Sequence, residues 1–462
     1  MNRTKRPLIF FTFLLFTTVL CAQELRLAKG KVIDSIAVND TLSYALYLPT
    51  KFDVEKKWPI IFAFDPAARG RMGVSPFIEA AEEHGFVLVC SNNSKNGISY
   101  EKNTRMFEIT TNHVFSLLPI DLGKIYVTGF SGGARLATTM AVLSEGKIKG
   151  VIGCGAGFAN NPLYYPTRRN ITYIGVVGER DFNYNEMKGN RLYMNEKNIG
   201  NELIIYDGDH RWPPSTVINL AVGLLLKKSL LRNPETDADK AKALALYNDQ
   251  YEFAALVKKD GHYHLAYNLF QQLNKNYRGD VPLDSVKAQL KQIRKLKPYK
   301  EFKRSEQSIQ FKEEDLVIKY SDFYFEDLED NNIQNIAWWK KEFEKVEVFK
   351  NHADRNVQNM GHRLYGLLFV MAIESTKGLD PTLDVDALIL ANEFLIALNP
   401  SYHNGYIELM RHYSTIGKYD FALGAMEELL KNGYTNEEAL SKVEGIALLR
   451  IMPEYKELLD KY

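Results

Sequence analysis

A β-branched run in the first half of the chain leads directly into a glycine-rich turn and then into an apolar segment. The run covers residues 124–128, and the turn is Gly129-Phe-Ser-Gly-Gly133. Residues 134–143, which follow, have the composition of a buried helix. A serine on a tight turn between a strand and a helix has strained backbone angles, and glycine neighbours avoid the clashes that other side chains would make there. The pattern therefore predicts that the hydroxyl of Ser131 is exposed at a helix N-terminus, above the strand ends.

Short apolar runs alternate with helical patterns between residues 41 and 230. The runs are rich in Val, Ile, Phe and Tyr and are bounded by turn residues, which is typical of buried strands. They cover residues 41–48, 59–64, 86–90, 124–128, 148–154, 171–177 and 202–206. The alternation predicts an α/β fold with a mostly parallel sheet, helices on both faces and right-handed crossovers.

Two of the later strands end in residues that can activate a serine. The strand at 171–177 is followed by Asp181, and the strand at 202–206 is followed by His210. A serine hydroxyl is a poor nucleophile until an imidazole accepts its proton, and the imidazole needs a carboxylate that holds its tautomer. The functional groups of open parallel sheets gather at the carboxyl ends of the strands. We therefore predict that Ser131 is a nucleophile, that His210 is its base and that Asp181 orients the base.

Each of these residues also has a structural interpretation. The glycine-rich turn is compatible with an ordinary strand-to-helix loop, His210 with a loop histidine, and Asp181 with the cap of a helix at 182–186. Three other carboxylates compete for the acid role: Glu179, Asp207 and Asp209. The other histidines of this half, His84 and His113, lie in helical patterns and are predicted to be structural.

Three segments together resemble the serine esterases of the α/β-hydrolase superfamily. They are residues 126–134 (Tyr-Val-Thr-Gly-Phe-Ser-Gly-Gly-Ala), 178–181 (Gly-Glu-Arg-Asp) and 208–213 (Gly-Asp-His-Arg-Trp-Pro). They most resemble the group around dienelactone hydrolase, feruloyl esterase and polyhydroxyalkanoate depolymerase-like proteins, over roughly residues 30 to 230. The chain order Ser131, Asp181, His210 is also the order of this superfamily. The resemblance implies an α/β-hydrolase fold and a Ser-His-Asp triad that needs no metal and no organic cofactor.

The predicted oxyanion hole departs from the pattern of this superfamily. The superfamily uses the backbone N–H of the residue after the nucleophile, here Gly132, and a second N–H from the loop after an early strand. Many relatives carry a His-Gly pair in that loop, whereas this chain has Asp65-Pro-Ala-Ala-Arg-Gly-Arg71. Proline has no N–H, so Ala67 is predicted as the second donor, with Ala68 as the alternative. Asp65 is also compatible with a structural turn carboxylate, and the two arginines with either surface residues or a site for an anionic substrate group.

The overall composition limits the class of partner, the number of domains and the state of the cysteines. The chain has 58 basic and 57 acidic residues, a balance that argues against a nucleic acid partner. Its 462 residues favour more than one domain. Cys90 and Cys154 lie in or beside predicted buried strands and are predicted to be free core thiols, with a disulfide as the alternative.

The N-terminal residues have the pattern of a secretory signal. Charged residues at 2–6 precede an apolar run at 8–16, and the chain then suits cleavage after Ala22. The apolar run is too short to span a bilayer comfortably. We therefore predict that residues 1–22, with Cys21, are removed and that the protein is exported, periplasmic or secreted, without a stable membrane span. A retained N-terminal anchor is the alternative.

The second half of the chain has a different composition. Beyond residues 232–237, glycine becomes sparse and long helical patterns replace the strands. Helices alone cannot extend a sheet, so we predict a signal peptide at 1–22, an α/β-hydrolase domain at 23–232 and an all-α domain at 238–462. Residues 263–277 and 417–430 resemble helices of tetratricopeptide repeats, in which stacked helix pairs bury aromatic and alanine faces.

The role of this tetratricopeptide-like domain stays open between a packing module and a groove for a protein partner. Residues 313–330 and the pair Trp338-Trp339 interrupt its period, and the two tryptophans are predicted to be core or interface anchors. Its histidines show no spacing that requires a metal site. We predict that His262 and His264 are solvated or packed.

The favoured function is that of an exported serine hydrolase that cleaves carboxylic esters through an acyl-enzyme intermediate. The predicted substrate is a small-molecule ester or a polysaccharide-linked ester. Two alternatives stay open: a serine peptidase or amidase with the same triad, and an inactive hydrolase-fold binding protein that acts through its helical domain.

Overall fold

The structure is a computed structural model that describes residues 27–462. The predicted signal peptide, with Cys21 and the cleavage after Ala22, lies outside the described residues. Among the helices of the described part, none combines the length and the hydropathy that a bilayer-spanning helix requires.

The first half of the chain is built around one eight-stranded sheet. Its strands are β1 (Val32–Ala37), β2 (Ser43–Tyr47), β3 (Trp58–Phe64), β4 (Val87–Ser91), β5 (Ile120–Phe130), β6 (Ile148–Cys154), β7 (Thr172–Gly178) and β8 (Gly200–Tyr206). Their order across the sheet is β1-β2-β4-β3-β5-β6-β7-β8. The pairs β1–β2 and β2–β4 are antiparallel, and all other pairs are parallel. The prediction of a mostly parallel sheet is confirmed.

Helices cover both faces of this sheet. They are α1 (Gly70–Val74), α2 (Ile78–His84), α3 (Tyr100–Leu117), α4 (Gly132–Leu143), α5 (Tyr184–Glu196) and α6 (Ser215–Ser229). Because side chains alternate along a strand, Phe62 of β3 packs on the face of α3, α4 and α5, whereas Ile61 packs on the face of α1, α2 and α6. The predicted helix layers are thus present. Cys90 and Cys154 are free and buried, as predicted.

Between residues 237 and 462 the chain forms helices and no strands. The helices are α7 (Asp237–Lys259), α8 (Tyr263–Asn276), α9 (Asp284–Ile293), α10 (Lys297–Glu329), α11 (Ile336–Lys350), α12 (Arg355–Thr376), α13 (Val385–Leu398), α14 (His403–Thr415), α15 (Tyr419–Lys431), α16 (Glu437–Ser441), α17 (Ala447–Arg450) and α18 (Pro453–Lys461). The longest, α10, contains most of the stretch that interrupts the predicted period. Its residues Tyr320 and Tyr324, one turn apart, are buried in one cluster with Trp339, which confirms the anchor role predicted for that tryptophan.

The two halves of the chain share a hydrophobic cluster. Leu225 of α6 belongs to the same cluster as Leu246 of α7 and Phe270 of α8. A Cβ on Gly223 would lie 3.2 Å from Leu246 Cδ2, so α6 and α7 are in close contact. The alternation of strands and helices therefore ends at α6, whereas the hydrophobic core continues from α6 into α7 and α8. The domain limits and the tetratricopeptide-like character of the helices stay predictions.

Candidate active site

The serine of the glycine-rich turn lies at the tip of the predicted strand-to-helix unit, between β5 and α4. Ser131 has φ 53° and ψ −123°, a strained conformation for a residue with a side chain. Its N–H donates to the carbonyl oxygen of Cys154 at 2.8 Å. A Cβ on Gly129 would lie 2.1 Å from the carbonyl oxygen of Gly133, so this turn closes only with glycine at that position.

Ser131, His210 and Asp181 form a continuous hydrogen-bonded relay. Ser131 Oγ lies 3.0 Å from His210 Nε2, and His210 Nδ1 lies 2.9 Å from Asp181 Oδ1. Asp181 follows β7 and His210 follows β8, so two neighbouring parallel strands bring the acid and the base together. Asp181 Oδ1 also accepts the N–H of Asn183 at 2.8 Å. This contact lies in the turn before α5, whose N-cap is Asn183, so the structure places Asp181 in the relay and not in the predicted alternative role of helix cap.

Aromatic rings surround the imidazole of this relay. The ring centroid of His210 lies 4.7 Å from that of Phe130 and 4.1 Å from that of Phe182. Asp181 is 1% exposed, so little water competes for its carboxylate. Hydrogen bonds are stronger in such surroundings than in water. The packing thus limits the motion of the imidazole between Ser131 and Asp181.

The competing carboxylates have other partners. Asp207 and Asp209 both accept from the guanidinium of Arg180, with Asp209 Oδ1 at 2.7 Å from Nε. Burial opposes the ionisation of Asp209, but the hydrogen bond and the charge of Arg180 outweigh it and lower the pKa of that carboxyl. In the described chain, the acid that contacts His210 Nδ1 is Asp181.

The two predicted oxyanion donors differ in their geometry. Gly132 is the first residue of α4, where the N–H groups have no carbonyl partner within the helix. The N–H of Ala67 instead donates to Asp65 Oδ1 at 2.9 Å. This differs from the prediction for Ala67, because a carboxylate two residues earlier in the chain already takes its hydrogen. The alternative, Ala68, donates to the Asp65 carbonyl oxygen at 3.1 Å.

Asp65 connects the loop after β3 to the histidine loop. Its carboxylate accepts from Arg69 Nε and from Trp212 Nε1, each at 2.9 Å. Burial opposes ionisation, yet these hydrogen bonds outweigh it and lower the pKa of Asp65. The structural interpretation of Asp65 is confirmed. Arg69 is paired within the protein, and Arg71 pairs with Asp34 at 3.2 Å on the surface.

A cavity of about 430 Å³ opens at Ser131. Part of its wall comes from the first half of the chain, including Asn96, Tyr100 and Phe182. Val370 and Glu374 of α12 supply another part, so the helical half borders this cavity. Three larger clefts, of about 1410, 1090 and 510 Å³, lie elsewhere in the described chain and are lined by none of the relay residues.

Helix α12 also holds the loop that carries Asp181. Glu179, which is 2% exposed, accepts from Asn359 Nδ2 at 3.0 Å and pairs with Arg355. His264 Nε2 of α8 lies 2.7 Å from the same carboxylate. Burial opposes the ionisation of Glu179, but His264 and Arg355 outweigh it and lower the pKa of Glu179 to about 2. His264 is buried and stacks on Phe302 with ring centroids 3.8 Å apart, which agrees with the packing alternative, and the sequence does not indicate its second partner, Glu179.

This cluster also bears on metal binding. Glu179, Asp207 and His262 lie close enough together to share a cation. The guanidinium of Arg355 fills that place: its Nη2 pairs with Glu179, lies 2.7 Å from His262 Nδ1 and lies 3.5 Å from Asp207 Oδ1. A cation of the protein itself thus balances these groups.

The sequence does not predict that α12 contributes to the site. Its contacting residues recur every three or four positions, which places them on one face of the helix. They are Arg355, Asn359, Arg363, Gly366, Val370 and Glu374. This spacing indicates that one face of α12 is functional, but it does not identify the residues that the face contacts. Glu179, for example, lies 176 to 184 residues before its partners on α12.

The strand order and the strained serine turn define an α/β-hydrolase fold, and the relay gives it the geometry of a serine hydrolase. Residues 93–221 match the family model described as Serine hydrolase (FSH1). The first half of the chain is therefore a serine hydrolase of the α/β-hydrolase type, as the resemblance implies.

Solved structures similar to this chain include several serine hydrolases and esterases. S-formylglutathione hydrolase FrmB from Staphylococcus aureus is 13% identical, with 42% of this chain and 96% of that chain covered and a TM-score of 0.34. The fluorophosphonate-binding serine hydrolase FphF from Staphylococcus aureus is 13% identical, with 43% and 99% covered and a TM-score of 0.36. Est1E from Butyrivibrio proteoclasticus is 14% identical, with 41% and 95% covered and a TM-score of 0.32. No curated protein matches the sequence.

Proposed function

We propose that this protein is an exported serine hydrolase that cleaves carboxylic esters through an acyl-enzyme on Ser131. The observation that carries the proposal is the relay of 3.0 Å and 2.9 Å from Ser131 Oγ through His210 to Asp181. Ser131 also lines a cavity, which gives its hydroxyl access to a substrate. The substrate is a small-molecule ester or an ester linked to a polysaccharide.

The geometry supports a two-step reaction. As Ser131 Oγ bonds to the ester carbonyl carbon, its proton moves to His210 Nε2, and Asp181 stabilises the imidazolium that forms. The carbonyl oxygen becomes negative and accepts the N–H of Gly132. His210 then protonates the leaving alkoxide, and the acyl group stays on Ser131. Water, deprotonated by His210, attacks the acyl-enzyme in the second step and releases the acid.

Esters rather than peptide amides are favoured by the size of the cavity and by the helix that borders it. Helix α12 borders it through Val370 and Glu374, and its volume of about 430 Å³ suits a compact group. A polypeptide needs an extended groove on both sides of the scissile bond. We expect turnover of short p-nitrophenyl esters and little turnover of peptide p-nitroanilides, measured by absorbance with Ser131→Ala as the control. Faster cleavage of the anilides would identify a peptidase, and no turnover of either would support a binding protein.

Export rests on the charged and apolar pattern of residues 2–22. We expect the full chain to fractionate outside the cytoplasm of its host and to begin after Ala22 when its N-terminus is sequenced. A chain that lacks residues 2–22 is expected to stay in the cytoplasm. Cytoplasmic recovery of the intact full chain would contradict export while leaving the hydrolase activity untouched.

A further inference from the structure

A side-chain amide lies directly over the turn that carries Ser131. Asn96, in the loop between β4 and α3, lines the cavity together with Ser131 and Gly132. A Cβ on Gly132 would lie 1.9 Å from Asn96 Oδ1 and 2.9 Å from Asn96 Nδ2. The amide therefore occupies the space beside Gly132, the residue whose N–H is the first oxyanion donor.

The loop after β3 has no backbone donor left for the oxyanion. Pro66 lacks an N–H, and the N–H groups of the next three residues all donate to Asp65. Those bonds are Ala67 to Oδ1 at 2.9 Å, Ala68 to the carbonyl oxygen at 3.1 Å and Arg69 to Oδ1 at 3.3 Å. The loop after β3, which supplies the second oxyanion donor in the superfamily, therefore has no free N–H group among residues 66–69.

The same loop instead fixes the position of Asn96. The N–H of Asn96 donates to the Pro66 carbonyl oxygen at 2.9 Å, and Lys95 forms an antiparallel bridge with Ala67. Within residues 27–462, the amide of Asn96 makes no hydrogen bond to another protein group. An asparagine amide carries two N–H donors, so this side chain has hydrogens to give at the point where the backbone has none.

We propose that Asn96 is a catalytic residue whose amide N–H supplies the second hydrogen bond of the oxyanion hole. The inference rests on the proposed function, since it requires attack by Ser131. When the Oγ–C bond forms, the electron pair of the carbonyl π bond moves to oxygen, which accepts from Gly132 N–H and Asn96 Nδ2. When that pair reforms the carbonyl, the bond to the leaving group breaks and the alkoxide takes its proton from His210. No other group is consumed.

The test compares Asn96→Ala and Asn96→Asp with the wild type. Loss of one oxyanion donor costs about 10²- to 10³-fold in kcat, and we expect this loss for Asn96→Ala with KM changed by less than about threefold. Asn96→Asp keeps the shape but replaces the donor by an acceptor, so its loss is expected to be at least as large. A trifluoromethyl ketone, whose serine adduct holds an oxyanion in the hole, should bind more weakly by a similar factor. Asn404→Ala, on the exposed surface of α14, is the matched control.

Three outcomes have distinct meanings. Asn96 variants that retain kcat within about threefold of the wild type would overturn the inference and leave the proposed function standing. Variants that lose kcat while the ketone binds unchanged would also overturn it, because a positioning or folding defect does not act through the oxyanion. A folded wild type without esterase activity would overturn the proposed function and this inference with it.

Discussion

Replacement of Asp181 by asparagine is expected to lower kcat for ester hydrolysis about 10⁴-fold with the fold intact. Asp181 Oδ1 lies 2.9 Å from His210 Nδ1 and holds the proton on that nitrogen. An asparagine amide can donate to Nδ1, which leaves the proton on Nε2, where it faces Ser131 and blocks proton transfer. The same oxygen accepts the N–H of Asn183 at 2.8 Å, so this orientation of the amide also gives up that bond, at a cost of about 1 kcal/mol that the fold should tolerate.

Steady-state kinetics of Asp181→Asn beside Asp207→Asn provides the comparison. Asp207 is a competing carboxylate on the histidine loop, but its side chain pairs with Arg180 rather than with His210. We expect Asp207→Asn to keep most of the wild-type kcat, and circular dichroism should match for all three proteins. Equal losses in the two variants, or a nearly active Asp181→Asn, would remove Asp181 from the acid role.

Replacement of Arg363 by alanine is expected to lower the free energy of unfolding by about 3–5 kcal/mol. Arg363 Nε and Nη2 donate to the two oxygens of Glu313 at 2.7 and 2.6 Å, and both side chains are buried. Its Nη1 also donates to the Glu179 carbonyl oxygen at 2.6 Å. Without the guanidinium, the Glu313 carboxylate stays buried without its partner, and the desolvation cost is no longer offset.

Urea unfolding followed by circular dichroism measures this effect. The control is the double variant Arg363→Met with Glu313→Leu, which removes both charges and keeps similar volume. We expect it to recover most of the lost stability, because buried ion pairs gain little over well-packed apolar side chains. A loss below about 1 kcal/mol for Arg363→Ala would show that water reaches this pair.

The sheet and the relay are predictable because their signals are local. A run such as residues 171–177 identifies a buried strand by composition, and parallel pairing brings the residues after neighbouring strands to one edge. That rule places Asp181 and His210 together without knowledge of any contact. The strained turn at Ser131 likewise has its own signature in the two flanking glycines.

The parts of the site that depend on side-chain contacts are not predictable in this way. The spacing of Arg355 and Asn359 marks a helix face, but Glu179 precedes them by 176 and 180 residues. The prediction of Ala67 as an oxyanion donor is wrong for a reason that is visible in the sequence. An aspartate commonly accepts the N–H of the residue two positions later, and Asp65 lies two positions before Ala67. Helix α10 lacks a clear period because exposed Phe311, Ile318 and Phe325 obscure its buried face.

Labelling with a fluorophosphonate probe tests the nucleophile most directly. The probe reacts with a serine only when a neighbouring base activates its hydroxyl. We predict one covalent adduct, located by peptide mass spectrometry on Ser131 and absent from Ser131→Ala. Folded wild-type protein that stays unlabelled, or an adduct on another serine, would contradict the assignment of Ser131 as the nucleophile.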